Sequence, residues 1–130
     1  MLSVLIPTYN YDISKLVAAI HAQLTNCAIA FEIIILEDWN TLKLNSSHKL
    51  DYTKVNKNTQ NIGRVKGRQD LALKAKYDLL LFLDADVFPK SKQFIYNYIK
   101  AMSHDYEAFF WRFCLPWWQT RTKLYFTLEV

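Results

Sequence analysis

Three short, largely apolar runs, each stopping at polar or acidic groups, constrain this 130-residue chain more than any other feature. Leu2 to Pro7 ends in Thr8-Tyr9-Asn10, Phe31 to Leu36 ends in Glu37-Asp38, and Leu79 to Leu83 ends in Asp84-Ala85-Asp86. Apolar runs of this length, bounded by turn signals, suit strands covered on both faces of a parallel sheet. The segments between them change period. Ile13, Leu16, Val17, Ile20 and Leu24 fall on one face of a helix that Asp12 can cap. A second helix is predicted from about Arg64 to Lys76, with Val65, Leu71, Ala72 and Ala75 on its inner side, after an Asn61-Ile62-Gly63 turn. A third is predicted over Ser91 to Met102, burying Phe94, Ile95, Tyr98, Ile99 and Met102. Asp51 to Lys57 carries a weaker strand pattern, and Glu107 to Phe113 suggests one more strand. This alternation predicts an α/β fold with a mainly parallel sheet flanked by helices.

In such sheets ligands bind beyond the carboxyl ends of the strands, where the three polar clusters should converge. Asp84 and Asp86 are the most demanding of these groups. Two carboxylates one residue apart repel each other and lose solvation as the fold closes, so a cation or a donor-rich ligand is needed to satisfy them. A hard divalent ion that also binds phosphate oxygens meets that need. The chain has only two glycines, Gly63 and Gly67, and neither belongs to a G-x-G-x-x-G or Walker loop, which removes the usual dinucleotide and P-loop cradles.

Composition narrows the partners. An apolar content of 52% sets disorder aside and gives one domain a real core. The net charge of +4 comes from dispersed lysines rather than a basic run, so no nucleic-acid partner is expected. Cys27 and Cys114 have neither disulfide nor zinc-ligand spacing, and His21, His48 and His104 are scattered, which fits a reducing, cytoplasmic setting. A strand pattern starting at Leu2 leaves no room for a leader peptide ahead of it. The greasy stretch Ala108 to Trp118, broken by Arg112 and Pro116, is too short for the ~20 residues of a membrane helix. Its aromatics leave self-association, or peripheral attachment at the inner face of a membrane, as expectations.

Taken in order, Pro7-Thr8-Tyr9-Asn10, Glu37-Asp38, Asn61-Ile62-Gly63 with Arg68, and Asp84-Ala85-Asp86 resemble the nucleotide-sugar-binding half of a family 2 glycosyltransferase. The resemblance covers residues 1–106 and implies a Rossmann-like GT-A fold and inverting transfer of a sugar from a nucleotide-sugar donor, most simply of UDP type, to a saccharide or glycan acceptor. It implies that Thr8 and Tyr9 line the base and ribose, that Pro7 belongs to the same nucleotide-sugar site, and that Asp38 accepts from the base edge. Arg68 would approach the nucleotide, Asp84 would lie near the ribose and diphosphate, and Asp86, with Asp84, would bind Mn²⁺ or Mg²⁺. The chain departs from the family pattern at Trp39, where glycine is usual, and at Gln69, where asparagine is common.

The chain has 44 residues beyond Asp86, and an inverting transfer needs a base near the acceptor hydroxyl. Asp105, Glu107 and Glu129 are the downstream candidates, and none matches the family's context. Residues 107–130 therefore read as a divergent aromatic tail, truncated or out of frame from about Trp111. Two further functions compete with transfer. One is a non-catalytic nucleotide-sugar-binding remnant. The other is a haloacid dehalogenase-type phosphohydrolase with Asp84 as nucleophile, although Phe88 stands where that motif has Thr or Val.

Overall fold

A computed structural model describes residues 1–39 and 49–103, together with the strand Thr127–Leu128. The elements run β1 (Leu2–Thr8), α1 (Ser14–Asn26), β2 (Phe31–Asp38), β3 (Thr53–Asn58), α2 (Arg64–Lys74), β4 (Leu80–Leu83), α3 (Phe94–Met102) and β5 (Thr127–Leu128). The sheet order is β3-β2-β1-β4-β5, and every pairing is parallel. This is the α/β architecture that the alternating pattern predicts, including the weakly signalled strand β3. The expected strand at Glu107 to Phe113 and the proposed tail at 107–130 lie outside the described residues, apart from β5.

The register explains why the apolar runs are continuous. Because side chains alternate across a strand, Leu2, Val4 and Ile6 of β1, Ile33 and Ile35 of β2, and Leu81 and Leu83 of β4 share one face. They pack with Leu16, Val17, Ile20 and Leu24 of α1 and Ile95 and Tyr98 of α3. The intervening residues Leu5, Ile34, Leu36, Leu80 and Phe82 face the other way and pack with Leu71 and Ala72 of α2. Both faces of β1, β2 and β4 are dry, so these strands carry polar residues only near their ends, whereas the edge strand β3 is polar and has no buried residue.

The helices differ from the sequence expectation in local ways. Asp12 does act at the start of α1: its Oδ1 accepts from the Ser14 amide at 2.9 Å and the Ser14 hydroxyl at 2.6 Å. These bonds hold its carboxyl below the usual aspartate range. Val65, expected on the inner side of α2, is instead 84% exposed. The first turn of α2 overhangs the sheet edge, and its inward positions go to Gly67 and Leu71. Gly67 allows that approach, because a Cβ there would stand 3.2 Å from Leu36 Cδ2. Among the described residues no helix is long and apolar enough to cross a membrane.

Candidate functional site

Pro7, Leu36, Asp38 and Asp84 all belong to the α2 face of the sheet at its carboxyl edge. β1 and β2 are paired there at Pro7↔Leu36, and β1 and β4 at Leu5↔Phe82, so two residues further along Pro7 comes beside Asp84. These residues line a cavity of about 340 Å³ with Thr8, Tyr9, Asn61, Gly63, Arg64, Gly67 and Ala85. The four motifs scattered along the sequence thus meet in one place. The first turn of α2 forms one of the walls.

Asp38 organises the turn that leads into that helix. Its Oδ1 accepts from Asn58 Nδ2 at 3.1 Å and from the Ile62 amide at 3.0 Å, and its Oδ2 accepts from the Gly63 amide at 3.1 Å. Gly63 also donates to Asn61 Oδ1 at 2.9 Å and sits at φ +82, a left-handed conformation that glycine adopts without strain. The carboxylate therefore offsets the unsatisfied amides at the entry to α2, as a negative group at a helix start should. Thr8 plays a similar part across the cavity. It is buried, and its hydroxyl donates to the Tyr11 carbonyl at 3.2 Å, closing the turn through Asn10 at φ +46.

Asp84 is held from the helix. Arg64 Nη2 lies 3.1 Å from Asp84 Oδ2, and Arg68 Nη2 donates to Asp84 Oδ1. The two arginines are one helical turn apart and so reach the same carboxylate. Arg68 is only 19% exposed, with its guanidinium 5.7 Å from the centre of the Phe82 ring. It stands behind Asp84 rather than in the cavity wall, so it acts on the cavity through that carboxylate. Asp86 is exposed and lies outside the lining.

Pro7, Thr8, Tyr9, Asp38 and Asp84 therefore line the cavity as the sequence suggests, whereas Arg68 and Asp86 flank it. Arg64, Asn58 and Gly67 are site residues that sequence reading missed. The one available signal was the four-residue spacing of Arg64 and Arg68, which puts both on one helical face. Trp39, at the position where the family usually has glycine, takes φ +57 and is half exposed. The chain therefore makes a left-handed turn after Asp38, at the cost of strain in a residue with a Cβ.

Of the remaining candidates, His21 and Cys27 lie outside this cavity, and His48, His104 and Cys114 fall outside the described residues. His21 Nε2 lies 3.0 Å from the Asp51 carbonyl, and its ring meets the edge of Phe31. Burial pushes the Cys27 thiol up. Among the described residues no group of three or more His, Cys, Asp or Glu side chains could hold a metal by itself.

Comparison with known proteins agrees with this fold. The model of glycosyl transferase family 2 matches residues 3–114. No curated protein matches the chain. Among solved structures it is similar to S. aureus TarS 1–349, with 22% identity and a TM-score of 0.61 over 84% of this chain and 34% of that one. S. aureus TarS 1–349 in complex with UDP-GlcNAc gives 22% identity and a TM-score of 0.63, covering 84% and 33%. The complex of the same protein with UDP gives 21% and 0.62, covering 84% and 34%. The chain spans about a third of the length of these solved chains, and the likeness establishes a shared fold.

Proposed function

The chain belongs to glycosyl transferase family 2, and we propose from this that its cavity holds the nucleotide-activated sugar of an inverting, metal-assisted transfer to a saccharide acceptor. The observation that carries the reading is the convergence of Pro7-Thr8-Tyr9, the Asp38-held turn and Asp84 on one cavity at the carboxyl edge of the sheet. Structures of S. aureus TarS, which shares the fold, contain UDP-GlcNAc and UDP, which supports a UDP-type donor here.

Each residue has a definable task in that reading. Thr8 and Tyr9 form the wall for base and ribose, with the Tyr9 ring half exposed for stacking. Asp38 keeps the Asn61-Ile62-Gly63 turn in place and leaves Oδ2 partly free to accept from a base edge. The amino end of α2 lines the part of the cavity where an anionic diphosphate is favoured. Asp84 and Asp86 would hold Mn²⁺ or Mg²⁺. The donor set fits, because a hard cation of this kind takes one or two carboxylates and completes its shell with phosphate oxygens and water. When bound, the ion supplies charge neutralisation to the departing nucleoside diphosphate.

A second reading, non-catalytic binding of a nucleotide sugar, is favoured by one observation. Asp38 and Asp84, the carboxylates in the cavity, are both engaged by donors, so neither is poised as a base. The candidates Asp105, Glu107 and Glu129 lie outside the described residues. The phosphohydrolase alternative loses ground, since both oxygens of its nucleophile would be occupied by guanidinium groups.

Calorimetry with UDP and Mn²⁺ on wild type and Asp86→Ala tests the donor site. Metal-dependent binding that falls by roughly tenfold or more in the variant is expected. Failure of the wild type to bind any nucleoside diphosphate would remove both readings. Hydrolysis of UDP-sugar by the same samples separates a turning-over enzyme from a binder.

A further inference from the structure

We propose that Arg64 grips the diphosphate of the donor, and that in doing so it gives up Asp84 Oδ2 to the divalent cation. The inference rests on the donor-site reading and deepens it by assigning a residue whose partner changes on binding.

Three observations carry it. First, one carboxylate meets two guanidinium groups, so one cation is surplus to its neutralisation. Arg68, packed against Phe82 and 19% exposed, is the fixed partner. Arg64, with its side chain 67% exposed, is the surplus one. Second, Arg64 is the first residue of α2, whose first turn contains no acidic residue. A cation there opposes the helix dipole, and neighbouring Lys66 adds to the cost. Such a local conflict is usually tolerated where a site needs it. Asp38 meets part of that conflict from the turn ahead of the helix, and an anion in the cavity would meet the rest. Third, Arg64 and Asp84 line the same cavity, so the guanidinium can change partners by rotating its side chain without moving the backbone.

The direction of the exchange follows from charge. An exposed arginine–carboxylate pair is weakly held, because water screens it and the long side chain loses entropy. A diphosphate presents more charge and several acceptor oxygens to the planar guanidinium fork. Once Arg64 has turned to phosphate, Asp84 retains Arg68 on Oδ1 and presents Oδ2 to a cation. The same residue therefore opposes metal binding before the nucleotide arrives and supports nucleotide binding afterwards.

Opposite effects on two ligands make the test specific. UDP would be titrated into wild type, Arg64→Met and Arg64→Lys in saturating Mg²⁺, with uridine followed by saturation-transfer NMR as the phosphate-free control. Mn²⁺ alone would then be titrated into metal-free samples. Arg64→Met is expected to bind UDP about tenfold more weakly than wild type, with uridine unchanged and Arg64→Lys in between. The same Arg64→Met protein is expected to bind Mn²⁺ severalfold more tightly than wild type. Equal UDP affinity in wild type and Arg64→Met overturns the grip, and equal or weaker Mn²⁺ binding in the variant overturns the exchange. A wild type that binds no UDP even with Mn²⁺ present fails the donor-site reading itself, which the variant comparison alone cannot do.

Discussion

At the amino edge of the sheet Glu32 is buried on the α2 face, and at the carboxyl edge Asp84 sits on that same face, but their partners differ in kind. Glu32 Oε1 accepts from the Ser3 hydroxyl at 2.7 Å and the Lys76 amide at 2.6 Å, and the Tyr77 amide donates to Ser3 Oγ at 3.2 Å. Lys54 reaches Glu32 Oε2 from solvent at 3.8 Å. This network ties the segment after α2 to the start of β1, and two of its donors are main-chain groups that cannot leave. Asp84 is instead held by two side chains of one helix, of which Arg64 is largely in solvent. Glu32 is thus held by backbone that cannot move away, whereas Asp84 is held in part by an exposed side chain, which is why the proposed exchange falls at Asp84.

The largest expected effect is at the amino edge. Glu32→Ala leaves the Ser3 hydroxyl and the Lys76 amide short of an acceptor in a buried setting and should cost about 3 kcal/mol, read from urea unfolding at constant slope. Its UDP affinity per folded molecule should not change; a loss there would break the division of labour between the edges. Asp38→Ala is the intermediate case, because its carboxylate is structural in its bonds and faces the cavity. A loss of about 2 kcal/mol is expected from the orphaned Ile62 amide and the lost bonds from Asn58 and Gly63, together with UDP binding weakened more than about tenfold. Stability lost without any loss of binding would move Asp38 to the purely structural side. The smallest effect should come from Lys54→Met. An exposed ion pair of this length contributes within about 0.5 kcal/mol, and nucleotide binding should be untouched, in contrast to Arg64→Met at the other edge.

Much of the site was legible because strand ends are legible. An apolar run buried on both faces must stop where the sheet stops, so Thr8, Asp38 and Asp84 mark the carboxyl edge by position alone. The helix faces were harder to read. Val65 looks inward by period but is exposed, since α2 first meets the core at Gly67, packed closely on Leu36, and then at Leu71. Charged helix residues carry even less positional information. Arg64 and Arg68 differ little as letters, yet one is wedged over Phe82 and the other reaches out from the rim. Ser3 and Glu32 interrupt two apolar strands without any sequence sign that they answer each other 29 residues apart.

By itself the sequence determined the parallel α/β order, the apolar faces and the placing of four polar motifs at one edge, because periodicity and chain alternation depend on local chemistry. The tertiary structure decided which carboxylates already have partners, which arginine is packed on Phe82 and which is exposed, and that Asp86 stands outside the cavity wall. Those outcomes depend on what packs against each group, and that is set only when α2 is laid across β1, β2 and β4.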